Sequence, residues 1–222
     1  MPKVCRPFSG TSLKTQLNCK TEERESQMKK FELTSDFITN IFGTKLFRIK
    51  ALIEFGNVKA GELGGFVEKE ENLSQDGNAW VYDSACVYGD ARVYGNACVC
   101  GNARVCDNAR VYGNAWVYGN ARVHDSARVY GDACVCGDAC VYGDACVYGD
   151  AGYATVHGFG SEYRTTTFFK TKAGDIGVKC GCFYGNLSEF RKKVVETHGE
   201  TKKAKEYLML ADLMEFRFSD NS

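Results

Sequence analysis

Residues 77–100 read GNAWVYDSACVYGDARVYGNACVC, and the same six-residue unit continues without insertion to position 148. Alanine occupies every sixth position from Ala79 to Ala151, and valine occupies every sixth position from Val81 to Val147. A repeat of short, fixed period is typical of a solenoid, and a period of six is typical of a parallel β-helix. The stretch therefore predicts a mainly β fold, a parallel β-helix of about four turns, with three units in each turn.

The order of residues within each unit predicts which side chains lie inside the coil. Alanine and valine stand two positions apart, so on a strand both side chains point to the same face. The residue between them and the residue after valine point to the other face. The Gly-Asn and Gly-Asp pairs between strands tolerate the positive φ angles that a corner requires. We therefore expect alanine and valine inside, and arginine, tyrosine, tryptophan and cysteine outside.

Composition limits the classes of function. The chain has 222 residues, with 28 basic and 28 acidic side chains, so it carries no net charge that would attract nucleic acid or an anionic membrane. Its start lacks an apolar stretch of signal-peptide length, and no apolar run is long enough for a membrane-spanning helix. These features favour a soluble cytoplasmic protein with no membrane association, and nucleic acid is not a favoured partner.

Twelve cysteines would suit a disulfide-rich secreted protein, but the repeat argues against disulfide pairing. At three units per turn, each outward residue stacks on the residue eighteen positions later. In that register Cys98 stacks on Trp116 and Cys106 on His124, and no cysteine lies directly over another. Cys98 and Cys134 are two turns apart, about 9 to 10 Å, which is beyond the reach of a disulfide. Free thiols in a reducing cytosol are the favoured interpretation.

The segments on either side of the repeat predict caps. Residues 1–27 are polar and mixed in charge, and we expect a disordered leader there. Residues 28–76 contain strand-like runs that predict an N-terminal β cap, in which Val67 and Leu73 already keep the alanine register. The coil itself is assigned to residues 77–154.

Residues 155–222 predict a small C-terminal α+β cap of ββααβ order. Its two helices are expected over about 188–198 and 201–214, followed by a last strand within 215–218. Caps of this kind have a physical reason, because each end of a β-helix presents unpaired backbone groups and a bare apolar cross-section.

At both flanks the sequence resembles a known family. The run FRIKALIEFGNVKAGELGGFVEKEENLSQDGNAWVYDSA, followed by the repeats, resembles bacterial and prophage hexapeptide-repeat proteins of the YdcK type. The run GVKCGCFYGNLSEFRKKVVETHGETKKAKEYL resembles the tail that follows the coil in phage-borne relatives. The resemblance covers about residues 28–218 and implies a left-handed coil and a phage or prophage origin, with no general enzymatic activity to carry over. The leader departs from the family, which raises Met28 as an alternative natural start.

Three units per turn give the coil three outward faces. On the first, which we call the Tyr–Arg face, three arginines form a column beside four tyrosines: Arg92, Arg110 and Arg128 beside Tyr94, Tyr112, Tyr130 and Tyr148. Tyrosine and arginine anchor many interfaces, and arginine over an aromatic ring gains cation–π attraction. This face is therefore the first candidate for binding a protein partner or another copy of the chain. The alternative is that tyrosine has a high β-propensity and that stacked aromatic rings simply stabilise the ladder.

The other two faces differ in chemistry. The Trp face is the secondary binding candidate and carries Trp80, Tyr82, Trp116 and Tyr118 in alternation with cysteines. The Cys–His face holds Cys86, Arg104, Arg122 and Cys140 beside Tyr88, Cys106, His124 and Tyr142.

Histidine and cysteine patterns give little support for catalysis or metal binding. His124 is the one histidine in the repeat, and a histidine base serves acyltransferases built on hexapeptide coils, but no inserted loop covers it. His157 and His198 do not recur with it at a metal-ligand spacing. Cys180 and Cys182 lack the second pair of ligands that a zinc site needs. We therefore predict no catalytic residue, no metal and no cofactor.

Taken together, these patterns favour a non-enzymatic binding protein that uses a rigid β-helix surface to block a host macromolecule. The resemblance extends this expectation to a phage-encoded inhibitor of a host protein, with a defence component such as a CRISPR nuclease as one target. Three alternatives stay open: a self-assembling scaffold that forms a homo-oligomer, a sponge for a signalling nucleotide, and a hexapeptide acyltransferase. The sequence names neither the partner nor the oligomeric state.

Overall fold

A computed structural model describes residues 29–159 and 165–219. The predicted leader, residues 1–27, lies outside the described residues. The N-terminal part contains three strands, β1 (Phe31–Thr39), β2 (Lys45–Ala51) and β3 (Leu63–Val67), followed by a 3-10 turn at Glu70–Asn72.

Short strands then begin every six residues and build the coil. They are β4 (Trp80–Val81), β5 (Cys86–Val87), β6 (Arg92–Val93), β7 (Cys98–Val99), β8 (Arg104–Val105), β9 (Arg110–Val111), β10 (Trp116–Val117), β11 (Arg122–Val123), β12 (Arg128–Tyr130), β13 (Cys134–Val135), β14 (Cys140–Val141) and β15 (Cys146–Tyr148). Each pairs in parallel with the strand eighteen residues away, as in Arg104 with Arg122. The eighteen-residue register of the sequence prediction is therefore confirmed.

Three parallel sheets form the sides of the coil. Two contain four strands each, in the orders β4-β7-β10-β13 and β6-β9-β12-β15. The third runs β3-β5-β8-β11-β14 and continues into β2 and β1 as an antiparallel extension. Because this side holds five parallel strands, the coil makes about five turns rather than the four predicted. The extra turn comes from β3, which belongs to the N-terminal segment.

The interior of the coil is built of alanine and valine, as predicted. The repeat alanines from Ala79 to Ala145 are fully buried, and the valines from Val81 to Val147 are at most 1% exposed. The last repeat alanine, Ala151, is exposed because the chain leaves the coil in a 3-10 turn at Asp150–Gly152.

The first turn differs from the others in length. Val67 pairs with Val87 and Leu73 with Val93, so these residues match valines twenty positions on rather than alanines eighteen positions on. The predicted alanine register of Val67 and Leu73 is therefore wrong by two residues. Both side chains still point inward, because a shift of two residues on a strand keeps the same face.

The C-terminal part is an antiparallel sheet followed by two helices. Its elements are β16 (Tyr153–Val156), β17 (Thr166–Lys170), β18 (Ile176–Cys180), β19 (Phe183–Asn186), α1 (Leu187–His198) and α2 (Lys202–Phe218). The sequence predicted two strands before the helices and one after them. The structure has four strands before the helices, and residues 215–218 continue α2. The helix continues because Met214 and Phe218, one turn apart, both enter the C-terminal core.

Capping residues define both ends of α1. Asn186 caps α1 by accepting from the backbone N–H of Glu189, and Gly199 follows its end.

Neither helix among the described residues has the length and apolar character needed to cross a membrane.

Candidate functional site

On the Tyr–Arg face the structure places the predicted residues in two straight columns. Strands β6, β9, β12 and β15 pair so that Arg92 lies beside Arg110, Arg110 beside Arg128, and Tyr130 beside Tyr148. All seven residues named from the sequence therefore lie together on one side of the coil.

The tyrosine rings of this face form a continuous stack. The ring centroids of Tyr94 and Tyr112 are 4.9 Å apart, with 2° between the planes, and those of Tyr112 and Tyr130 are 5.1 Å apart, with 7° between the planes. Tyr148 ends the stack with its ring tilted by 47° and its side chain 66% exposed. The separation of the rings follows from the separation of paired strands.

The arginines of the face remain available for a partner. Arg92 and Arg110 are exposed and Arg128 is half-buried. Within the described residues, none of the three makes an ion pair. The cation–π pairs among the described residues involve other side chains. The expected attraction between these arginines and the tyrosines is therefore not formed there. The rings stack on one another instead.

The N-terminal segment borders one end of this face. A cavity of about 620 Å³ lies where the 3-10 turn overhangs the first strands, and Glu70, Glu71, Arg92, Tyr94 and Arg110 are among the residues that line it. The Tyr–Arg face therefore begins in a recess that two acidic side chains also line.

On the Trp face the structure corrects the prediction for Trp80. Trp80 is fully buried, because Phe31 and Phe55 pack edge-on against its ring and Gly64 lies above it. Its position in the unit is outward, but the N-terminal segment covers that position. Tyr82 is half-buried.

Farther along the Trp face, Trp116 and Tyr118 are exposed by 52% and 37%. Trp116 pairs with Cys98 on one side and Cys134 on the other, as the register predicted. The exposed part of the secondary candidate is therefore reduced to these two aromatic side chains.

On the Cys–His face, His124 is less exposed than the sequence suggested. It is half-buried, its ring packs edge-on against Tyr142 with 4.2 Å between centroids, and its Nε2 lies 3.3 Å from the Sγ of Cys140. Burial lowers the pKa of His124, nearby Lys179 and Arg122 act in the same direction, and Asp125 and Asp107 oppose them. The imidazole is thus kept neutral near pH 7.

Sequence reasoning missed two acidic neighbours of this histidine. Asp107, His124 and Asp125 bring one potential ligand atom each within 4.8 Å of the others. Asp107 and Asp125 occupy corner positions with positive φ, where most units have glycine. One Asp107 carboxylate oxygen accepts from the backbone N–H of Asp125 at 3.3 Å, which gives that carboxylate a structural role. The signal in the sequence was the replacement of Gly by Asp at two corners eighteen residues apart.

The cysteines of the described residues are free thiols. Burial raises the pKa of Cys86, Cys98, Cys100, Cys106 and Cys140, so these groups are protonated and poor nucleophiles near neutral pH.

Two exposed apolar groups were also missed. On α2, Met209, Leu213 and Phe216 are 71%, 53% and 70% exposed, at i, i+4 and i+7 spacing on the side opposite the buried stripe. At the turn between β1 and β2, Ile41 and Phe42 are 86% and 78% exposed. The helical spacing was visible in the sequence, but it could not show which of the two apolar sides of α2 would be covered.

Comparison with known proteins identifies the repeat. The family described as YdcK beta solenoid repeat matches three segments, at residues 85–101, 103–119 and 117–131, all within the coil. A protein from Escherichia coli strain K12 named "Uncharacterized acetyltransferase YdcK" is 38% identical over 63 residues. That match covers 25% of this chain, and the chain spans about a fifth, 19%, of the relative's length. The predicted resemblance is confirmed for the repeats: the matched segments within residues 85–131 are β-solenoid repeats of the YdcK type.

Proposed function

We propose that this YdcK-type repeat protein is a non-enzymatic binding protein, and that its Tyr–Arg face binds and blocks a larger protein partner. The observation that carries the proposal is the stack of tyrosine rings beside arginines that make no ion pair within the described residues. Tyrosine and arginine are the residues most enriched at interface hot spots, along with tryptophan.

The stack lowers the entropic cost of binding. Each ring is held by its neighbour, and each strand is held by backbone bonds to the next turn, such as the Tyr112 N–H to the Val129 carbonyl at 3.0 Å. A surface whose side chains are already ordered loses less conformational freedom when a partner docks. The alternative that the stack serves only the fold leaves the exposed arginines without a role, because like charges directly opposite each other on paired strands are destabilising.

The charges indicate what the partner should present. Three guanidinium groups at strand spacing, next to flat aromatic edges, fit a protein surface with carboxylates set among apolar side chains. A general nucleic-acid surface is less suitable, because the chain has 28 basic and 28 acidic side chains and the recess at the start of the face has two glutamates on its wall. A host protein as the partner, a prophage origin and left-handed winding of the coil are further parts of the proposal that follow from the resemblance of the flanking sequences.

Affinity capture tests the proposal with a matched control. Wild type, the Tyr94/Tyr112/Tyr130→Ala variant and the Trp116/Tyr118→Ala variant are used as bait in lysates of candidate hosts. We expect a partner that is retained by wild type and by the control but lost by the tyrosine variant. Light scattering on the purified proteins separates a heterologous partner from self-assembly. If all three baits retain the same proteins, the Tyr–Arg face is not the binding site.

An acyltransferase is the second candidate, because the E. coli relative is named an acetyltransferase and His124 is half-buried rather than freely exposed. A neutral imidazole could act as a general base. This candidate predicts acetyl-CoA turnover that is lost in His124→Ala, whereas the binding proposal predicts the same absence of turnover in both proteins. The scaffold alternative is supported if light scattering finds a stable homo-oligomer that captures no other protein. The nucleotide sponge requires that a nucleotide be retained and then released intact on denaturation.

A further inference from the structure

A cleft lies between the Cys–His face and the C-terminal sheet, and neither the Tyr–Arg face nor the Trp face contributes to it. Its volume is about 610 Å³, within the range of small-molecule sites. The coil supplies Arg104 and Arg122 on one wall, and β18 supplies Lys179 on the other. Asn102 and Asn120 line the edge between them.

The basic side chains of the cleft make no ion pair among the described residues. Arg104 and Arg122 pair directly across β8 and β11, both are exposed, and neither makes an ion pair within residues 29–159 and 165–219. Among the described residues, Asp138 is the one acidic side chain that lines the cleft, and its Oδ1 accepts from Asn120 Nδ2 at 3.0 Å. The described residues that line the cleft thus carry three basic side chains and one acidic side chain, a formal charge of about +2, and Asp107 and Asp125 lie beside His124.

The wall that carries Lys179 is fixed to the coil. The backbone N–H of Cys140 donates to Thr167 Oγ1 at 3.0 Å, and the Tyr184 hydroxyl donates to Asp144 at 3.3 Å. The Lys179 ammonium lies 5.1 Å from the centre of the Tyr142 ring, which keeps it near the coil surface. The two walls are therefore fixed relative to each other before any ligand arrives, and this preorganisation of the backbone favours affinity.

We propose that this cleft binds a small phosphorylated molecule. The guanidinium groups of the two paired arginines can each form paired hydrogen bonds with phosphate oxygens, and the Lys179 ammonium adds a third donor group. The asparagine amides at the edge provide polar contacts for the rest of the ligand. Like charges on adjacent strands are unfavourable alone, and a phosphate removes that repulsion.

The Tyr–Arg face provides a matched control within the same molecule. Arg92 and Arg110 occupy the same position of the unit as Arg104 and Arg122, pair in the same way and are also exposed. Their face lacks an opposed wall with a lysine. If repeated arginines alone were enough to bind phosphate, both pairs would do so equally.

Titration calorimetry at low ionic strength tests the site with pyrophosphate and adenosine diphosphate as probes. We expect wild type to bind both, and the Arg104/Arg122→Gln variant to bind at least about tenfold more weakly, because two charge-assisted contacts are lost. Lys179→Gln should weaken binding by several-fold, and Arg92/Arg110→Gln should leave it within about twofold. Tighter binding of the nucleotide would show that contacts beyond the phosphates contribute, and equal binding would assign the site to the diphosphate group.

Two results would overturn the proposal. One is the absence of heat from both probes with the folded wild type. The other is an equal loss in the Arg104/Arg122 and Arg92/Arg110 variants, which would indicate diffuse attraction by surface charge. Circular dichroism verifies that each variant is folded, and since the substituted arginines are exposed, we expect no change in the spectra.

Discussion

The two ends of the coil are closed by different means, although both must cover the same alanine and valine interior. At the N-terminal end, Phe31, Ile49 and Val58 pack into the core of the coil itself, and β1 and β2 extend one of its sheets. At the C-terminal end, β17–β19 and both helices enclose a second core around Phe168 and Phe190. Phe169, next in the chain to Phe168, points the other way into the coil.

This difference determines how far each cap should unfold with the coil. A cap that shares the core of the coil cannot leave without exposing that core, so it should unfold with the coil as one unit. A cap with its own core can open on its own, as local units of many proteins do. In a solenoid, neighbouring turns stabilise one another, and therefore the end that opens first sets the stability of the rest.

The largest loss of stability should come from adding a side chain at Gly65, where the N-terminal segment packs tightly against the coil. A Cβ at Gly65 would lie 2.6 Å from the Ala85 carbonyl oxygen and 2.7 Å from Val81 Cγ1. Because backbone atoms cannot yield as a flexible side chain can, we expect Gly65→Val to lower the free energy of unfolding by more than about 4 kcal/mol. Thermal unfolding followed by tryptophan fluorescence should show one early transition or no folded protein.

Gly137→Ala serves as the control for this substitution. It has a positive φ of 65° but open space around the added Cβ, so the cost should be about 1–2 kcal/mol. A Gly65→Val protein as stable as this control would show that the cap does not share the coil core.

Substituting the adjacent phenylalanines at the C-terminal end tests whether the C-terminal cap has a core separate from that of the coil. Phe168→Ala and Phe169→Ala should each cost about 3–5 kcal/mol, because both side chains are fully buried. The two tryptophans of the chain, Trp80 and Trp116, both lie in the coil, whereas the described α-helices both lie in the C-terminal part. Tryptophan fluorescence therefore reports the coil, and the helical circular dichroism band reports the cap.

We expect Phe168→Ala to shift the helical transition to lower denaturant and to leave the fluorescence transition nearly in place. Phe169→Ala should shift the fluorescence transition. Coincident shifts of both signals in both variants would mean that the C-terminal cap and the coil unfold as one cooperative unit, contrary to the separate unfolding expected from the second core.

A buried lysine makes the N-terminal cap sensitive to pH. Lys30 is 2% exposed, and its ammonium donates to the Ala79 carbonyl at 3.0 Å. Burial lowers the pKa of Lys30 from 10.5 to about 8, partly opposed by Asp76. Between these values the unfolded chain binds more protons than the folded chain, so this group makes the free energy of unfolding rise with pH. At about 1.4 kcal/mol per pKa unit, the rise is up to about 3 kcal/mol.

Cysteine and tyrosine groups with raised pKa act in the opposite direction above pH 9, so the test compares wild type with Lys30→Met. In that difference the other groups cancel. Urea unfolding at several pH values should show wild type gaining stability relative to Lys30→Met between pH 8 and 10.5. If the difference in unfolding free energy between the two proteins is constant across this pH range, Lys30 is hydrated in the folded state.

The coil could be predicted closely because its rules are local. Alternation on a strand decides which side of the sheet a residue faces, and the eighteen-residue turn decides its neighbours, so the Tyr–Arg columns were found from Arg92 to Tyr148. Trp80 follows the same rule and points outward from the coil. It is nevertheless buried, because Phe31 and Gly64 come from a segment whose path no local pattern fixes.

The other errors also arise where distant segments meet. The first turn is two residues longer than the repeat because its strand, β3, comes from the cap and joins β5 with Phe66 beside Cys86. Residues 215–218 alternate like a strand, but Phe218 completes a helical stripe on the second core. Lys179 faces Arg122 across the cleft from more than fifty positions away, and only the docking of β17 on the end of the coil brings them together.

The smallest expected loss of stability comes from a substitution at the junction between the C-terminal sheet and the coil. Thr167 is 1% exposed, and its hydroxyl accepts the backbone N–H of Cys140 at 3.0 Å. Thr167→Val keeps the shape and leaves this N–H without its partner, so we expect a loss of about 1–3 kcal/mol. Thr166→Val is the control, because the one hydrogen bond of the Thr166 hydroxyl among the described residues goes to the weak acceptor Cys180 Sγ, at 3.1 Å. If the junction holds the Lys179 wall in place, Thr167→Val should also weaken pyrophosphate binding, while Thr166→Val should not. Equal stability of the two variants in urea would show that packing of Phe169, rather than this hydrogen bond, joins the C-terminal cap to the coil.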